Sequence, residues 1–244
     1  MRLLSVPLTL CALLVGVMGC ERAPGRRGNE PDVSRPEQVL DFATLYGQNC
    51  AACHGEKGTN GGAISLANPV YLAAAGAANI ERVTAEGVNG TMMPGFAKSA
   101  GGMLTDEQVA ALTEGMIAAW AKPETLAGIA LPTYASSSSG DATKGQEAFK
   151  TFCALCHGAD GTGAASANIR TGSLVDPAYL SLISDQGLRS FIISGQPEQG
   201  MPDWRSHQSA SGAHALTDRE ITDIVAWIGT HRIATAGKIY RQHP

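Results

Sequence analysis

The sequence Cys-Ala-Leu-Cys-His-Gly occupies Cys153–Gly158, and a near-copy, Cys-Ala-Ala-Cys-His-Gly, occupies Cys50–Gly55. Both contain C-x-x-C-H, a spacing that lets two thiols form thioethers with the two vinyl groups of a haem while the adjacent histidine ligates the iron. A zinc site normally has its second cysteine pair about 15–20 residues away, and a redox dithiol does not require the histidine. The motifs therefore predict two covalently attached c-type haems. The cysteines that would form the thioethers are Cys50, Cys53, Cys153 and Cys156.

The composition is compatible with one or two small domains that are filled by a cofactor. The chain has 244 residues, of which only 5% are aromatic. A porphyrin in each half would add the apolar surface that so few aromatic side chains do not supply. The net charge is −4, and no basic stripe is present to neutralise phosphates, so nucleic acid is disfavoured as a partner.

The N-terminal segment is predicted to be a signal peptide followed by a tether. Arg2 precedes an apolar run, Leu3–Val17, that is too short to span a bilayer comfortably. The end of this run resembles the lipobox of bacterial lipoproteins, which predicts cleavage of residues 1–19 and lipidation of Cys20. The alternative is an ordinary signal peptide with an incidental cysteine. Residues 20–36 combine proline, glycine and charge, and are predicted to be a flexible tether.

An internal repeat divides the rest of the chain into two modules. Ser65–Leu72 matches Ser173–Leu180 at an offset of 108 residues, whereas the haem motifs are offset by 103. The second copy therefore has five extra residues between its haem motif and this segment. A stretch rich in proline and serine separates the copies, as is typical of a linker. The predicted organisation is a first domain at 37–123, a linker at 124–140 and a second domain at 141–244.

The same repeat suggests a methionine ligand for each iron. The offset of 108 residues pairs Gly87 with Gly195 and Met93 with Met201, and a proline follows each of these methionines. A lone methionine is usually core filler. Its recurrence at equivalent positions, on a loop stiffened by proline, favours a thioether ligand instead. Met92 could supply the sulfur after a slip of one residue, but only Met93 has the following proline.

Histidine provides the opposite ligand and the competing candidates. His54 and His157, within the motifs, are predicted to be the proximal iron ligands. Histidines near the second methionine or the end of the chain are the alternative sixth ligands. None of them has a counterpart in the first module, which favours surface positions. These alternatives are His207, His214 and His231.

Each module is predicted to contain the same helices in the same order, with no sheet. A helix leads into the haem motif, a short helix begins at an Asn-Pro or Asp-Pro pair, a middle helix precedes the methionine loop, and a last helix begins with a capping box. The segments in the first module are Pro36–Gly47, a helix capped by Asn68, Ile80–Glu86, and a helix capped by Thr105. Those in the second are Asp141–Phe152, a helix capped by Asp176, Gly187–Ser194, and a helix capped by Thr217.

Both modules resemble class I cytochrome c domains, and the resemblance covers about residues 37–232. It rests on the C-x-x-C-H motifs, the Met-Pro loops and the Leu-Thr-Asp start of each closing helix. It implies an all-α fold in which the first and last helices of each module cross beside the haem. Family members have a glycine eight residues before the first haem cysteine, an aromatic residue four before it, and an aromatic residue on the closing helix. Gly145, Phe149 and Trp227 match this pattern.

The first module departs from the family pattern at the helix crossing. Phe42 stands where the glycine is expected, and Gly115 stands where the second module has Trp227. One explanation is a size swap, in which bulk moves to the first helix and the small residue moves to its partner. The other is a longer closing helix that uses Trp120 as its aromatic residue.

A haem with both histidine and methionine ligands has no open position, so the expected function is electron transfer, and no catalytic residue is predicted. The expected partners are membrane-associated and periplasmic redox proteins, with the chain anchored through its lipid at the outer face of the cytoplasmic membrane. It would serve either as a free carrier or as a subunit of a respiratory or photosynthetic complex. The alternative is a dihaem enzyme, peroxidase-like or thiosulfate-oxidising, which would need an open or unusually ligated iron.

Overall fold

The computed structural model describes residues 34–165, 170–205 and 214–233. The predicted lipidation site at Cys20 and the candidate ligand His207 lie outside the described residues, as do the predicted signal peptide and most of the predicted tether. Both haem motifs belong to one compact unit, which begins at Glu37.

The described residues form nine α-helices and one pair of very short strands. The fold is therefore all-α, as predicted. The helices of the first module are α1 (Phe42–Asn49), α2 (Ala51–His54), α3 (Pro69–Glu86) and α4 (Asp106–Trp120). Those of the second are α5 (Ala142–Phe152), α6 (Ala154–His157), α7 (Pro177–Leu182), α8 (Asp185–Ser194) and α9 (Asp218–Gly229). Strands β1 (Ala164–Ala165) and β2 (Arg170–Thr171) lie between α6 and α7.

Most helix starts are confirmed because a polar side chain accepts hydrogen bonds from the first exposed amides. Asp141 caps α5, and Thr105 and Thr217 form complete capping boxes at the starts of α4 and α9. The predicted start of the first helix at Pro36 is wrong. Asp41 caps α1 by accepting from the Thr44 amide, and the preceding Pro36–Gln38 forms a separate 3-10 turn.

The middle helices differ from the prediction in both modules. In the first, α3 consists of two helical segments, as predicted, separated at Gly76, whose φ of 68° and ψ of 158° are not helical; the second segment therefore begins before Ile80. In the second, the two helices remain separate, but α8 does not begin at Gly187. The Ser184 hydroxyl accepts from the Gly187 amide, so the helix starts at Asp185.

The extra residues of the second module include a small hairpin that the sequence analysis did not predict. Strands β1 and β2 pair antiparallel over two residues each. The Thr171 hydroxyl donates to the Cys156 carbonyl, whereas in the first module the Ala63 amide donates to the Cys53 carbonyl at 2.9 Å. The carbonyl of the second haem cysteine thus accepts a hydrogen bond in both modules. The donor is a backbone amide in the first module and a side-chain hydroxyl in the second.

The helix crossing of the second module follows the family pattern. A Cβ atom on Gly145 of α5 would lie only 1.9 Å from the Asp223 carbonyl oxygen of α9, so the two backbones meet at this glycine. Beside the crossing, the rings of Phe149 and Trp227 pack with their centroids 4.4 Å apart. Close approach therefore depends on the absence of a side chain at residue 145.

At the helix crossing of the first module, the structure shows both the size swap and the longer closing helix. The Phe42 ring of α1 lies on Gly115 of α4, 2.3 Å from where a Cβ would be, so bulk and space are exchanged between the helices. Helix α4 also extends to Trp120, whose ring meets Phe42 and Tyr46 edge-on at centroid distances of 5.4 and 5.1 Å. This crossing is held by aromatic side chains instead of by direct backbone contact.

Three apolar clusters hold the described residues together. One lies within each module, around Leu112 in the first and around Phe149 and Ile224 in the second. The third contains buried side chains from both modules and from the chain between them. Its members are Val70, Leu126, Ile193, Trp204 and Ile221. The modules are therefore packed against each other. Over the three described ranges, no helix is both long enough and apolar enough to cross a bilayer.

Candidate haem sites

Each haem motif folds into a single turn of helix that brings a thiol and an imidazole together. The His54 amide donates to the Cys50 carbonyl at 3.0 Å, and the His157 amide donates to the Cys153 carbonyl at 2.9 Å. Residues four apart on a helical turn lie on the same face. The first cysteine and the histidine of each motif are therefore presented to the same side.

The imidazole of His54 is oriented by the backbone. The side chain is buried, and its Nδ1 lies 2.7 Å from the Ile64 carbonyl oxygen. A carbonyl only accepts, so Nδ1 carries the proton and Nε2 keeps its lone pair for a metal. Burial lowers the pKa of His54, which favours the neutral, ligating form.

His157 is less constrained than His54. Burial also lowers the pKa of its half-buried imidazole. Its Nδ1 atom is buried and has no hydrogen-bond partner among the described residues. A neutral imidazole beside paired thiols is the donor set that a c-type haem requires, so the residues of both motifs fit this cofactor.

The thiols do not have the properties of a redox dithiol. All four are free in the described structure, and Cys50 is buried. Burial raises the pKa of Cys50 to about 11 and that of Cys153 to about 12. Reactive cysteine pairs have a lowered pKa, because the thiolate is the nucleophile. Cys50 and Cys153 are therefore held in the protonated form, unlike the nucleophilic cysteine of a redox dithiol.

The methionine loops are built on glycines that the repeat had paired. Gly87 ends α3 and Gly195 ends α8, with φ of 73° and 64°. A Cβ on either would lie within 2.5 Å of the backbone of the Met-Pro segment. Only glycine allows this conformation and this approach. The loop that carries each methionine is thus pressed against the end of the preceding helix.

Met93 and Met92 differ in exposure. The side chain of Met92 is 73% exposed, whereas that of Met93 is half-buried. The Met93 carbonyl accepts from the Val88 amide at 3.0 Å, and in the second module the Met201 carbonyl accepts from the Gln196 amide at 2.8 Å. The equivalent methionines are therefore anchored in the same manner, which favours Met93 over Met92 as a ligand.

Comparisons with known proteins match one family model to each module. Residues 142–232 match the model for cytochrome c, and residues 37–114 match the model for subunit III of cbb3-type cytochrome c oxidase. Each range contains one haem motif. The chain is a dihaem c-type cytochrome. It therefore has two covalently bound haem c groups, one in each module.

A curated protein and a solved structure show more distant similarity to this cytochrome. The cbb3-type cytochrome c oxidase subunit CcoP of Azospirillum sp. (strain B510) is 27% identical over 154 residues, which are 57% of this chain and 47% of that protein. The chain thus matches about half the length of this relative. A chain of the Kuenenia stuttgartiensis reducing HAO-like protein complex aligns with a TM-score of 0.45 and 16% identity, over 82% of this cytochrome and 100% of that chain.

The alternative histidines have other partners. His214 is exposed and lies 3.1 Å from both carboxylate oxygens of Glu220. The His231 ring meets the Trp227 ring edge-on, and its Nδ1 lies 3.2 Å from the Trp227 carbonyl oxygen. Neither residue has a histidine counterpart in the first module.

Sequence reasoning missed two groups that support the first haem motif. The Ile64 carbonyl orients His54, but a backbone acceptor has no signal in a sequence. The Tyr46 hydroxyl donates to the Gly55 carbonyl at 2.9 Å, and burial raises its pKa to about 12, so it stays a neutral donor. The aromatic residue four before the first haem cysteine thus also fixes the loop after the histidine.

Proposed function

We propose that this cytochrome is an electron carrier in which each iron is ligated by one histidine and one methionine. Bound haem c supplies a one-electron iron couple. The observation that carries the proposal is that the loops bearing Met93 and Met201 are anchored in the same manner in both modules. Each module also has a neutral imidazole in its haem motif, His54 in the first and His157 in the second. Histidine and methionine ligands would leave no open position on either iron, so the haems would exchange electrons without binding a substrate at the metal.

In this proposal the four motif cysteines hold the two cofactors by thioether bonds. The two histidines donate neutral imidazole nitrogen, and burial disfavours their protonation. The two methionine sulfurs raise the reduction potential relative to a stronger donor at that position. Each Met-Pro loop is held against a helix end, so the sulfur is presented without a large loss of conformational entropy on ligation.

The proposed partners are redox proteins at the outer face of the cytoplasmic membrane and in the periplasm. The relative from Azospirillum is a subunit of an oxidase, which supports a place for this cytochrome in a larger respiratory complex. Lipidation of Cys20 would hold the chain at the membrane surface. More than one acyl chain gives stable anchoring, whereas a single chain gives only marginal binding.

Replacing Met93 or Met201 with leucine tests the ligation. Each change should remove about half of the far-red Fe–S charge-transfer absorption of the oxidised protein and lower the midpoint potential of one haem. Met92→Leu is the matched control, because it changes the neighbouring exposed thioether. Absence of the absorption from the wild-type protein would contradict methionine ligation. Rapid peroxide turnover with a high-spin ferric spectrum would favour the enzyme alternative.

Cys20→Ala tests the anchor. The variant should be released from membranes by washing with concentrated salt, while the wild-type protein stays bound, because loss of the lipid removes the hydrophobic contribution to binding. Cys11→Ala is the control, since that residue precedes the predicted cleavage site. Retention of the Cys20→Ala variant on salt-washed membranes would show that the lipid is not the anchor.

A further inference from the structure

Asn68 connects the two modules through its side-chain amide. Its Oδ1 atom accepts from the Val70 amide at 2.9 Å and caps α3, while its Nδ2 atom donates to the Ser194 carbonyl of the second module at 2.9 Å. The residue is only 5% exposed, and Ser194 is also buried. The side-chain oxygen therefore accepts a hydrogen bond within the first module, while the side-chain nitrogen donates one to the second module.

The repeat-equivalent residue makes only the first of these contacts. Asp176 is exposed, and its carboxylate caps α7 by accepting from the Ala178 and Tyr179 amides at 2.8 and 3.0 Å. An ionised carboxylate has no proton to donate. Either residue type serves as a helix cap, but only asparagine at position 68 can also bind the carbonyl of the other module.

A second polar contact lies one turn away. The buried Ser65 hydroxyl donates to the exposed carboxylate of Glu198 in the other module. Its repeat-equivalent, Ser173, instead accepts from the nearby Val175 amide at 3.3 Å. At two positions, therefore, the first copy of the repeat is specialised for contact with the second module.

These contacts join two loops that belong to the haem sites. Ser65 follows Ile64, whose carbonyl accepts the hydrogen bond from His54. On the other side, Ser194 precedes Gly195, which lies directly against the backbone of Met201. The loop behind the proximal ligand of one haem is thus bonded to the loop that presents the methionine of the other.

Glu198 strengthens the same connection. It lies in the 3-10 turn between Gln196 and Met201, and these two residues exchange backbone hydrogen bonds at 2.8 and 3.0 Å. Next to the polar contacts, Val70 and Ile193 lie in the apolar cluster that joins the modules. Burial of these side chains excludes water from Asn68 and Ser194, so the hydrogen bond between these two residues is made in a low-dielectric environment.

We propose that Asn68 is a positioning residue for electron exchange between the two haems. It holds the His54 loop of the first module against the Met201 loop of the second, and with both haems bound this contact would be the route for one electron passing from the reduced to the oxidised iron. The inference rests on the proposed function of the chain as an electron carrier. It adds an internal path between sites that the repeat alone presents as independent.

Asn68→Asp in the full-length holoprotein tests the role, measured near pH 8, well above the usual carboxyl pKa of about 4. Aspartate keeps the helix cap, as Asp176 does, but places an oxygen against the Ser194 carbonyl. An unpaired buried acceptor should lower the hydrogen-exchange protection of the Gly195 amide, which belongs to the same peptide group as the Ser194 carbonyl, roughly tenfold. After reduction by one electron from a photoexcited donor, equilibration between the haems should be slower than in the wild-type protein.

The matched control is Asp176→Asn, which keeps the cap of α7 and should change neither measurement. The charge-transfer absorption should keep its wild-type intensity in Asn68→Asp, which a general disturbance of the haem sites would not allow. The buried negative charge should lower the midpoint potentials, so the equilibration rates are compared at equal driving force. The proposal is overturned if amide protection is unchanged, if equilibration keeps its wild-type rate at equal driving force, or if it slows only together with a change in spectrum.

Glu198→Ala provides a second, independent variant because the residue is exposed and its loss leaves no buried group except the Ser65 hydroxyl. Electron equilibration between the haems should be slower in this variant too, and a rate equal to that of the wild-type protein would overturn the proposed route. Failure of the proposed function is distinguishable from failure of this inference. If the wild-type spectrum lacks Fe–S absorption but both variants still slow equilibration, the methionine ligation is wrong and the route stands.

Discussion

Replacement of Gly145 by alanine is expected to destabilise the second module by about 3 kcal/mol. The new Cβ would lie 1.9 Å from the carbonyl oxygen and 2.4 Å from the carbonyl carbon of Asp223. These are backbone atoms and cannot rotate away, so α5 and α9 would have to separate. Separation would also loosen the contact between Phe149 and Trp227. The free energy of unfolding, from urea titration of the holoprotein, measures the effect.

Two other glycines provide graded controls for this substitution. In Gly115→Ala the new atom meets the Phe42 side chain at 2.3 Å, which can shift, so a smaller loss of about 1 kcal/mol is expected. In Gly47→Ala nothing lies within 4 Å, and a gain of roughly 0.5–1 kcal/mol is expected from helix propensity. Equal effects at all three positions would show that close backbone approach is not what requires glycine at residue 145.

Replacement of Arg189 by methionine should cost about 3 kcal/mol, because it removes a buried hub of hydrogen bonds. The side chain is only 3% exposed. Its guanidinium donates to the Thr133 and Tyr134 carbonyls, to the Thr222 hydroxyl and to the Asp218 carboxylate. Methionine keeps most of the apolar stem but none of the donors. The segment between the modules would therefore lose part of its attachment to α8 and α9, while the hydrogen bonds from Thr133 to Asp218 would remain.

The matched control is Arg82→Met, which removes an arginine that is 51% exposed and pairs with Glu86, itself 65% exposed, one turn away. A loss of about 0.5 kcal/mol or less is expected there. Urea denaturation of both variants, with haem absorbance as the signal, gives the comparison. If the two losses are similar, the burial of the Arg189 network does not contribute to stability.

The same network predicts how acid acts on the protein. Burial raises the pKa of Asp218, but hydrogen bonds from Thr133 and the nearby charge and hydrogen bond of Arg189 outweigh this and lower it below 3.8. The stability that Asp218 contributes is therefore present above about pH 3.8 and is lost as the pH falls through its lowered pKa. In Arg189→Met this acid-dependent part should be smaller, and a pH series of urea titrations detects it.

Much of the local structure was predictable because it depends on neighbouring residues. The capping boxes at Thr105 and Thr217 require residues only three apart, and their pattern was visible in the sequence. The pairing of Gly87 with Gly195 followed from the repeat, and the structure explains it by close approach to the Met-Pro loop. The resemblance to class I cytochrome c supplied the helix crossing that no local pattern specifies.

The contacts between distant residues were not predictable in this way. Arg189 had no distinguishing signal, since its partners lie far from it in the sequence and two of them are backbone carbonyls. The exchange of Asn68 for Asp176 within the repeat looked like a neutral change between two good helix caps. Only the position of Ser194 shows why the amide matters.

The exchange of bulk between Phe42 and Gly115 makes each crossing helix pair the smallest part that can be transplanted between modules. A chimera that received α5 in place of α1 would set Gly145 opposite Gly115 and leave a void, while the reverse graft would set a phenylalanine against the α9 backbone. Moving the first and last helices of a module together keeps one large and one small residue at the crossing. A change of side-chain size at one position of a crossing therefore needs a compensating change at the other.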